Sequence, residues 1–246
     1  MADTTRDMIL GGRVTIFQPV TGYRAAIDPM LLAAAVPAHL GETVLDVGSG
    51  SGAASLALAA RCDGVFVTGL EMQGPLVTLA GDSARENGLQ DRVRFLEGDL
   101  LEPPAELKAG GFDHVIANPP YMAAGLGNPP PDASRRAATV EGDAALADWL
   151  VFLLSRVRGG GTVTVIHRHD RTGEVTAGLE ASGAGGIVVF PLWARAETEA
   201  KRVIVQARKG GPCEMRTADG LVLHEAADAF TAAADEILRG GQALSL

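Results

Sequence analysis

The chain is poor in cysteine, and its few histidines form no ligand pattern. Its 246 residues include two cysteines, Cys62 and Cys213, which stand far apart and outside any C-x-x-C spacing. A disulfide framework and a cysteine-based zinc site are therefore not expected. The histidines show no metal-ligand spacing, so we expect no bound metal. This cysteine usage favours a reducing, cytoplasmic location.

Long apolar runs and a hydrophobic leader are also missing. Apolar runs such as residues 30–38 are far shorter than the roughly 20 residues that a membrane helix needs. The first residues include Asp3, Arg6 and Asp7, where a signal peptide would have its apolar region. We therefore expect neither a membrane span nor a signal peptide, and we take a monomer as the default oligomeric state.

An excess of positive charge is missing as well. The formal net charge is −9, and only three of the 21 basic residues are lysine. Binding to nucleic-acid phosphates normally draws on an excess of Lys and Arg, so this charge disfavours such a partner unless basic residues gather on one face. Scattered surface charge is the alternative. The basic residues predicted near the ligand edge are Arg135, Arg136, Arg168, Arg171, Arg195, Lys201 and Arg202.

Short β-branched runs alternate with helical stretches along this 47% apolar chain. The alternation predicts an α/β fold with a mostly parallel sheet and helices on both faces. The predicted strands are 43–47, 64–70, 92–96, 112–117 and 162–166, then 187–192 and 202–207 as an antiparallel pair. Predicted helices end near residue 60, run from 75 to 88, and run from 144 to 157 before the glycines at 159–161. Three prolines predict an exposed loop at 126–131.

We expect one domain over residues 1–246. Its core spans 41–210, between an N-terminal segment (1–40) and a C-terminal extension (211–246). The N-terminal segment has a predicted strand at 14–17 and a helix at 29–36, and the extension has a predicted strand at 221–223 and a closing helix.

A glycine-rich turn follows the first core strand. Gly48, Gly50 and Gly52 form a G-x-G-x-G pattern, which differs from the G-x-G-x-x-G of dinucleotide-binding folds. Glycines let the backbone pass close beneath a ligand where a Cβ would collide. On its own the pattern is equally typical of a tight turn.

Acidic residues stand at the ends of three successive predicted strands. Asp46 can accept a hydrogen bond from an ammonium group, Glu71 from two ribose hydroxyls, and Asp99 from an adenine amino group. Each acid alone is typical of a solvated strand end, but three together predict a nucleotide-like cofactor. We include the adjacent Met72 and Leu100 in the predicted cofactor site.

Residues 118–121 read Asn-Pro-Pro-Tyr at the end of the fourth predicted strand. Asn118 and the Pro119 carbonyl can accept the two hydrogens of a planar amino group. Pro120 helps to fix the backbone, and Tyr121 can stack on a planar target. A plain Asn-Pro turn is the alternative. With the glycine turn, the motif predicts methyl transfer from S-adenosylmethionine, with S-adenosylhomocysteine as product.

Residues 18–28 are polar and lead into an apolar helix. Tyr23, Arg24 and Asp28 are candidates to close over the methionine end of the cofactor. Alternatively, Asp28 caps a helix that begins at Pro29.

The chain resembles the bacterial adenine-N6 methyltransferases that modify valine tRNA beside the anticodon. The resemblance rests on residues 18–24, 28–32, 45–50, 69–73, 112–113, 118–121, 200–203 and 221–225. It implies a Rossmann-like, seven-stranded class I methyltransferase sheet with the last strand antiparallel, and tRNA as substrate. It also implies that Asp46, Gly48, Glu71 and Asp99 bind cofactor and that Asn118 orients the target nitrogen.

Three other functions compete with this one. A protein glutamine-N5 methyltransferase of the release-factor type suits the same Asn-Pro-Pro-Tyr geometry and the acidic charge, but such enzymes carry a larger helical N-terminal domain. A DNA adenine methyltransferase would need an added recognition domain. A non-catalytic scaffold is disfavoured because Asp46, Glu71 and Asn118 are all intact.

Overall fold

The computed structural model describes residues 3–122, 132–226 and 228–246. The proline-rich loop predicted at 126–131 lies outside these ranges. The strands are β1 (Thr4–Ile9), β2 (Val14–Pro19), β3 (Thr43–Val47), β4 (Phe66–Glu71), β5 (Val93–Glu97), β6 (Phe112–Ala117), β7 (Val157–Arg168), β8 (Ala184–Trp193), β9 (Arg202–Lys209), β10 (Met215–Thr217) and β11 (Leu221–Val222). The helices are α1 (Asp28–Ala34), α2 (Ala53–Arg61), α3 (Gly74–Glu86), α4 (Ala133–Thr139), α5 (Leu146–Arg156), α6 (Thr172–Ala181) and α7 (Ala232–Leu238).

The main sheet has the strand order β10-β8-β9-β7-β6-β3-β4-β5. Strands β3 to β7 run parallel, whereas β9 is antiparallel to both of its neighbours, β7 and β8. The predicted α/β fold, with the last of seven core strands antiparallel, is therefore confirmed. Two short strands not counted in the seven, β10 and β11, pair in parallel with β8 and make a nine-stranded sheet.

The junction of α5 and β7 differs from the prediction. The helix ends at Arg156, and β7 begins at Val157, so the three glycines lie inside the strand. A Cβ on Gly161 would come within 2.4 Å of the Asp113 carbonyl oxygen. Glycine is needed because β6 and β7 approach closely there, next to a register shift between Phe112 and His114.

The N-terminal segment forms an antiparallel hairpin, β1–β2, outside the main sheet. The Phe17 amide donates to Ser83 Oγ at 2.8 Å, and the Thr15 amide donates to Asn87 Oδ1 at 2.9 Å, which fixes β2 against α3. Leu10 and Ile16 are buried in the same apolar cluster as helices α1 and α2. The hairpin is therefore packed onto the sheet and positions the segment that leads into α1.

Two apolar clusters cover the sheet, one on each face. Helices α1, α2 and α7 contribute to the first, and α5 and α6 to the second. Of the helices that the structure describes, none combines the length and apolarity that a membrane crossing would require. The parallel strands β3 to β7 end at one edge of the sheet, where ligands bind in folds of this type.

Candidate functional site

The glycine turn after β3 adopts left-handed backbone angles that favour glycine. Gly48 has φ of 71° and Gly50 has φ of 56°, and both border a cavity at the carboxyl edge of the sheet. A Cβ on Gly48 would lie 2.7 Å from the ring of Trp149, and one on Gly50 would lie 3.3 Å from the ring of Tyr23. The two glycines therefore allow two aromatic rings to pack directly against the turn.

The third glycine has a different place. Gly52 has φ of 84° and precedes α2, and it borders no ligand cavity at this edge. A Cβ there would meet the Phe95 ring at 2.7 Å and the Ala80 side chain at 3.1 Å. The structure thus gives Gly52 a packing role between α2, α3 and β5.

Two buried acids lie beside the turn. Asp46 accepts a hydrogen bond from Ser55 Oγ at 2.7 Å, and Glu71 accepts from the Gly50 amide at 2.9 Å and the Gln73 amide at 2.8 Å. Burial, with the charge of Glu71 nearby, raises the pKa of Asp46 to about 6, and burial also raises the pKa of Glu71. Buried carboxylates of this kind favour a cationic ligand.

The cavity itself, which we call the cofactor pocket, runs from the glycine turn across the ends of β4, β5 and β6. Glu71, Met72, Asp99, Leu100 and Asn118 all border it. Asp46 borders a smaller cavity next to the pocket, together with Ser49 and Ser51. The strand-end acids and their neighbours thus meet at one edge of the sheet, as the sequence predicts, and their roles toward a ligand stay predictions.

The Asp99 side chain accepts one hydrogen bond from the backbone of the following loop. Its Oδ1 accepts a hydrogen bond from the Leu101 amide at 2.9 Å, and the side chain is half-buried. The second carboxylate oxygen is not used in that turn, so the residue keeps an acceptor for a ligand at the pocket rim.

The Asn-Pro-Pro-Tyr motif follows β6 directly. Asn118 and Pro120 border the cofactor pocket, Pro119 is buried without bordering it, and Tyr121 borders a separate groove. The Tyr121 hydroxyl lies 2.5 Å from Asn118 Oδ1 and 2.6 Å from Asp28 Oδ2. The motif therefore stands between two cavities, with Asn118 on one side and the Tyr121 ring on the other.

The alternative role of Asp28 as a helix cap is wrong. Asp28 is the first residue of α1, the preceding Ile27 is in the N-cap position, and no side chain caps this helix. The Asp28 carboxylate instead accepts from Arg202 Nε at 3.1 Å as well as facing Tyr121. It does not border the cofactor pocket.

Tyr23 and Arg24 separate, although they are adjacent in sequence. Tyr23 borders both the pocket and the smaller cavity, and burial, with Asp28, Asp46 and Glu71 nearby, raises its pKa to about 12. Arg24 is exposed and donates to Asp7 Oδ2 at 2.7 Å within the N-terminal hairpin. Of the two, the structure brings only Tyr23 to the pocket.

Several residues of the site escape sequence reasoning. Trp149 of α5 lies over the glycine turn, and Ala137 and Ala138 of α4 border the same pocket. Their approach depends on long-range packing, which the predicted helix at 144–157 does not reveal. Ser49 and Ser51 were also missed; both hydroxyls are buried, and neither has a hydrogen-bond partner within the described ranges.

A third cavity, which we call the outer groove, opens on the far side of Tyr121 and has a volume of about 800 Å³. Basic residues at the groove include Arg168, Lys201 and Arg202, and acidic residues include Asp170 and Glu199. Four of the basic residues predicted near this edge pair with carboxylates: Arg168 with Asp170, Arg171 with Glu141 and Glu174, Arg195 with Asp228, and Arg202 with Asp28.

Metal ligands do not converge in the described ranges: no group of three or more His, Cys, Asp or Glu side chains is placed to hold an ion.

Comparisons with known proteins match the part of the chain that holds both sequence motifs. Residues 25–128, which hold the glycine turn and the Asn-Pro-Pro-Tyr motif, match the family model of the methyltransferase small domain. A predicted O-methyltransferase of Agrobacterium tumefaciens, protein Atu636, superimposes with a TM-score of 0.73 at 28% identity, covering 89% of this chain and 98% of that one. The chain has the class I methyltransferase fold. The expected fold is confirmed by these matches and by the strand order.

Curated relatives of this chain include tRNA, release factor and ribosomal protein methyltransferases. The tRNA1(Val) (adenine(37)-N6)-methyltransferase of Actinobacillus pleuropneumoniae is 26% identical over 220 residues, covering 86% of this chain and 87% of that protein. The release factor glutamine methyltransferase of Chlorobaculum tepidum is 37% identical over 81 residues, covering 32% of this chain and 28% of that protein. The chain spans less than two thirds of the length of several curated relatives that it matches.

Proposed function

We propose that this chain is an S-adenosylmethionine-dependent methyltransferase that acts on an exocyclic amino nitrogen, adenine N6 in tRNA. The observation that carries the proposal is the meeting of two motifs at one cavity. Asn118, the predicted acceptor for the target amino group, borders the same pocket as Gly48, Glu71 and Asp99. Catalysis by transfer requires such proximity between donor and acceptor sites.

The pocket suits S-adenosylmethionine by its charge and by its unused polar atoms. Asp46 and Glu71 are buried, their pKa values are raised by burial, and the cofactor carries an ammonium and a sulfonium cation. The hydroxyls of Ser49 and Ser51 are buried without hydrogen-bond partners among the described residues, and Gly48 and Gly50 border the pocket. Asp46 and Ser51 hold the methionine end, Glu71 the ribose, and Asp99, Met72 and Leu100 the adenine.

The chemistry is methyl transfer to nitrogen. S-adenosylmethionine would supply an electrophilic methyl group: the nitrogen–carbon bond forms as the sulfur–carbon bond breaks, S-adenosylhomocysteine leaves, and the methylated nitrogen loses one proton to water. Asn118 and the Pro119 carbonyl accept the hydrogens of the target amino group, which localises the nitrogen lone pair for attack. The buried prolines hold both acceptors in place, because a proline fixes its own φ. Trp149 and Tyr23 exclude water around the glycine turn.

The substrate assignment rests on the extent of similarity. The match to the tRNA-modifying relative runs over most of both chains, whereas the match to the glutamine methyltransferase covers less than a third of each. The outer groove, with Arg168 and Lys201 beside Tyr121, is where the substrate strand enters. We place this activity in the cytoplasm, where tRNA is modified and where two unpaired cysteines are stable.

The test is methyl transfer from labelled S-adenosylmethionine to total tRNA from a strain that lacks this gene, followed by nucleoside analysis. We expect labelled N6-methyladenosine with the natural chain and none with Asn118→Ala. Release factor protein is assayed in parallel. If label enters the protein glutamine and no tRNA, the glutamine-N5 alternative replaces the tRNA proposal.

A further inference from the structure

The Tyr121 hydroxyl faces two acceptor oxygens but has one hydrogen. It lies 2.6 Å from Asp28 Oδ2 and 2.5 Å from Asn118 Oδ1. A phenol can donate only one hydrogen bond, and two oxygens cannot share hydrogen-bond distance without a proton between them. The Tyr121 hydroxyl therefore donates its hydrogen to whichever of the two oxygens is the stronger acceptor.

Asp28 is the stronger acceptor. Its carboxylate is charged, accepts only, and is held by Arg202 Nε at 3.1 Å. The Arg202 guanidinium also lies over the Tyr121 ring, 4.4 Å from its centroid, so the same side chain fixes both partners. Hydrogen bonds to an ionised acceptor are roughly twice as strong as neutral ones, and the tyrosine proton therefore goes to Asp28.

This choice sets the orientation of the Asn118 amide. Once Tyr121 donates to Asp28, its oxygen can only accept, and the amide must turn its nitrogen toward the ring hydroxyl. The two ends of an asparagine amide have nearly the same shape, and the surrounding hydrogen bonds decide which end faces which way. Within the described part of the chain, the Asn118 side chain hydrogen-bonds to Tyr121 alone. The oxygen is then the atom turned to a ligand.

We propose that Asp28, held by Arg202, is a positioning residue that acts through Tyr121 to present the amide oxygen of Asn118 to the substrate amino group. The inference rests on the proposed function, because an amino group with two hydrogens needs an acceptor there. If the Asn118 amide were turned the other way, its NH2 group would face the substrate amino group, and both groups would be hydrogen-bond donors. Asp28 lies 93 residues from Tyr121 in sequence, so only the fold brings this device together.

Spectroscopy tests the orientation without any turnover. The chain contains three asparagines, Asn87, Asn118 and Asn128, so selective ¹⁵N-asparagine labelling gives three side-chain amide pairs, and Asn118→Ala identifies the pair of interest. We expect one Asn118 amide proton to be shifted downfield and protected from exchange, as a donor to Tyr121. Tyr121→Phe and Asp28→Asn should both remove that signature. An Asn118 pair that is unchanged in Asp28→Asn would overturn the inference.

Kinetics provides the second arm, with Asp7→Asn as the matched control. Asp7 is another N-terminal carboxylate paired with an arginine, Arg24, away from Tyr121. Asp28→Asn and Tyr121→Phe should each lower kcat roughly ten- to hundredfold while KM changes little, since a misplaced catalytic group costs about that much. The double variant should be no slower than the slower single variant, because both changes break one chain of contacts. Asp7→Asn should keep its kcat even where its melting temperature falls.

The two levels of the proposal fail in different ways. If the natural chain transfers methyl groups and Asp28→Asn keeps its full kcat, the positioning role is wrong and the proposed function stands. If the natural chain methylates neither tRNA nor protein, the function is wrong, and the amide spectrum still decides whether Asp28 orients Asn118.

Discussion

Acidic residues stand at both ends of the central strands, and their pKa values are shifted in opposite directions. At the amino end, Asp113 accepts from the Thr43 amide and hydroxyl and from Arg158 Nε, at 2.6 to 2.9 Å. Burial alone would raise the pKa of Asp113, but these hydrogen bonds and the charge of Arg158 lower it to about 2. His114 is bonded at both ring nitrogens, to Thr162 and Glu42.

At the carboxyl end of the strands, burial outweighs hydrogen bonding and the pKa shift has the opposite sign. Asp46 is buried with one side-chain donor, Ser55, and its pKa rises to about 6. In the part of the chain that the structure describes, the hydroxyls of Ser49 and Ser51 have no hydrogen-bond partner. The difference teaches that the depth of burial, weighed against the donors and cations around the carboxyl group, decides whether its pKa rises or falls.

The largest expected effect comes from Asn118→Ala. Removal of the amide should lower kcat by at least about 10²- to 10³-fold, because it deletes an acceptor used as the nitrogen attacks. Cofactor affinity, measured by calorimetry, should stay nearly unchanged, since the residues proposed to hold the ribose and the methionine end follow other strands. A large loss of cofactor binding would show that the residue belongs to the cofactor site instead.

Glu71→Ala should act on binding rather than on chemistry. If Glu71 accepts from the ribose as proposed, loss of its buried carboxylate should weaken cofactor binding roughly ten- to hundredfold, as hydrogen bonds to charged groups contribute about 1.5–3 kcal/mol. Glu97→Ala is the matched control, because Glu97 is exposed and stands beside Glu71 in the register of β4 and β5. Equal affinity in the two variants would remove Glu71 from the site.

The pH dependence of cofactor binding should follow Asp46. Its pKa of about 6 in the free protein means that the carboxylate is charged at pH 7 and becomes protonated as the pH falls through 6. A cationic ligand binds the charged form, so affinity should fall by up to about tenfold per pH unit below 6. Asp46→Asn should bind more weakly at pH 7 and flatten that profile between pH 5 and 7. A flat profile in the natural chain would contradict this role.

Asp113→Asn should affect stability and leave the reaction intact. We expect a loss of about 1–2 kcal/mol in the free energy of unfolding at pH 7, from weakened bonds to Arg158 and Thr43. Because the folded pKa is depressed from 3.8 to about 2, the stabilisation is present above pH 4 and is lost as the pH falls toward 2. Urea titrations of both proteins should therefore converge in that window, while kcat at pH 7 is unchanged.

Local sequence signals predicted where the strands end and which polar residues stand at those ends. The glycine turn, Glu71 and Asn118 are each positioned by the strand directly before them, so a short window is enough. Contacts made across the fold were not accessible in this way. The approach of Trp149 to Gly48 and the use of Asp28 by Tyr121 depend on helix packing, and the pattern left the role of Asp28 undecided.

Two residues of the predicted cofactor site, Arg24 and Gly52, do not border the cofactor pocket, for a related reason. Arg24 follows Tyr23 directly, but the hairpin turns it toward Asp7 and away from the pocket. Gly52 completes the glycine pattern, yet the adjoining helix presses it against Phe95. In both cases tertiary contacts, which a motif does not contain, decide which member of the pattern borders the pocket.

The C-terminal segment closes over the first helix. The Leu244 amide donates to the Ala34 carbonyl at 2.8 Å, Arg13 donates to the Arg239 carbonyl at 2.9 Å, and α7 shares an apolar cluster with α1. A ribosome delivers α1 early and α7 more than 190 residues later. The nascent chain can thus build its sheet while α1, which begins at Asp28, still lacks its cover. Transcripts truncated after β9 should therefore yield polypeptides with an exposed apolar helix, which cellular proteases remove.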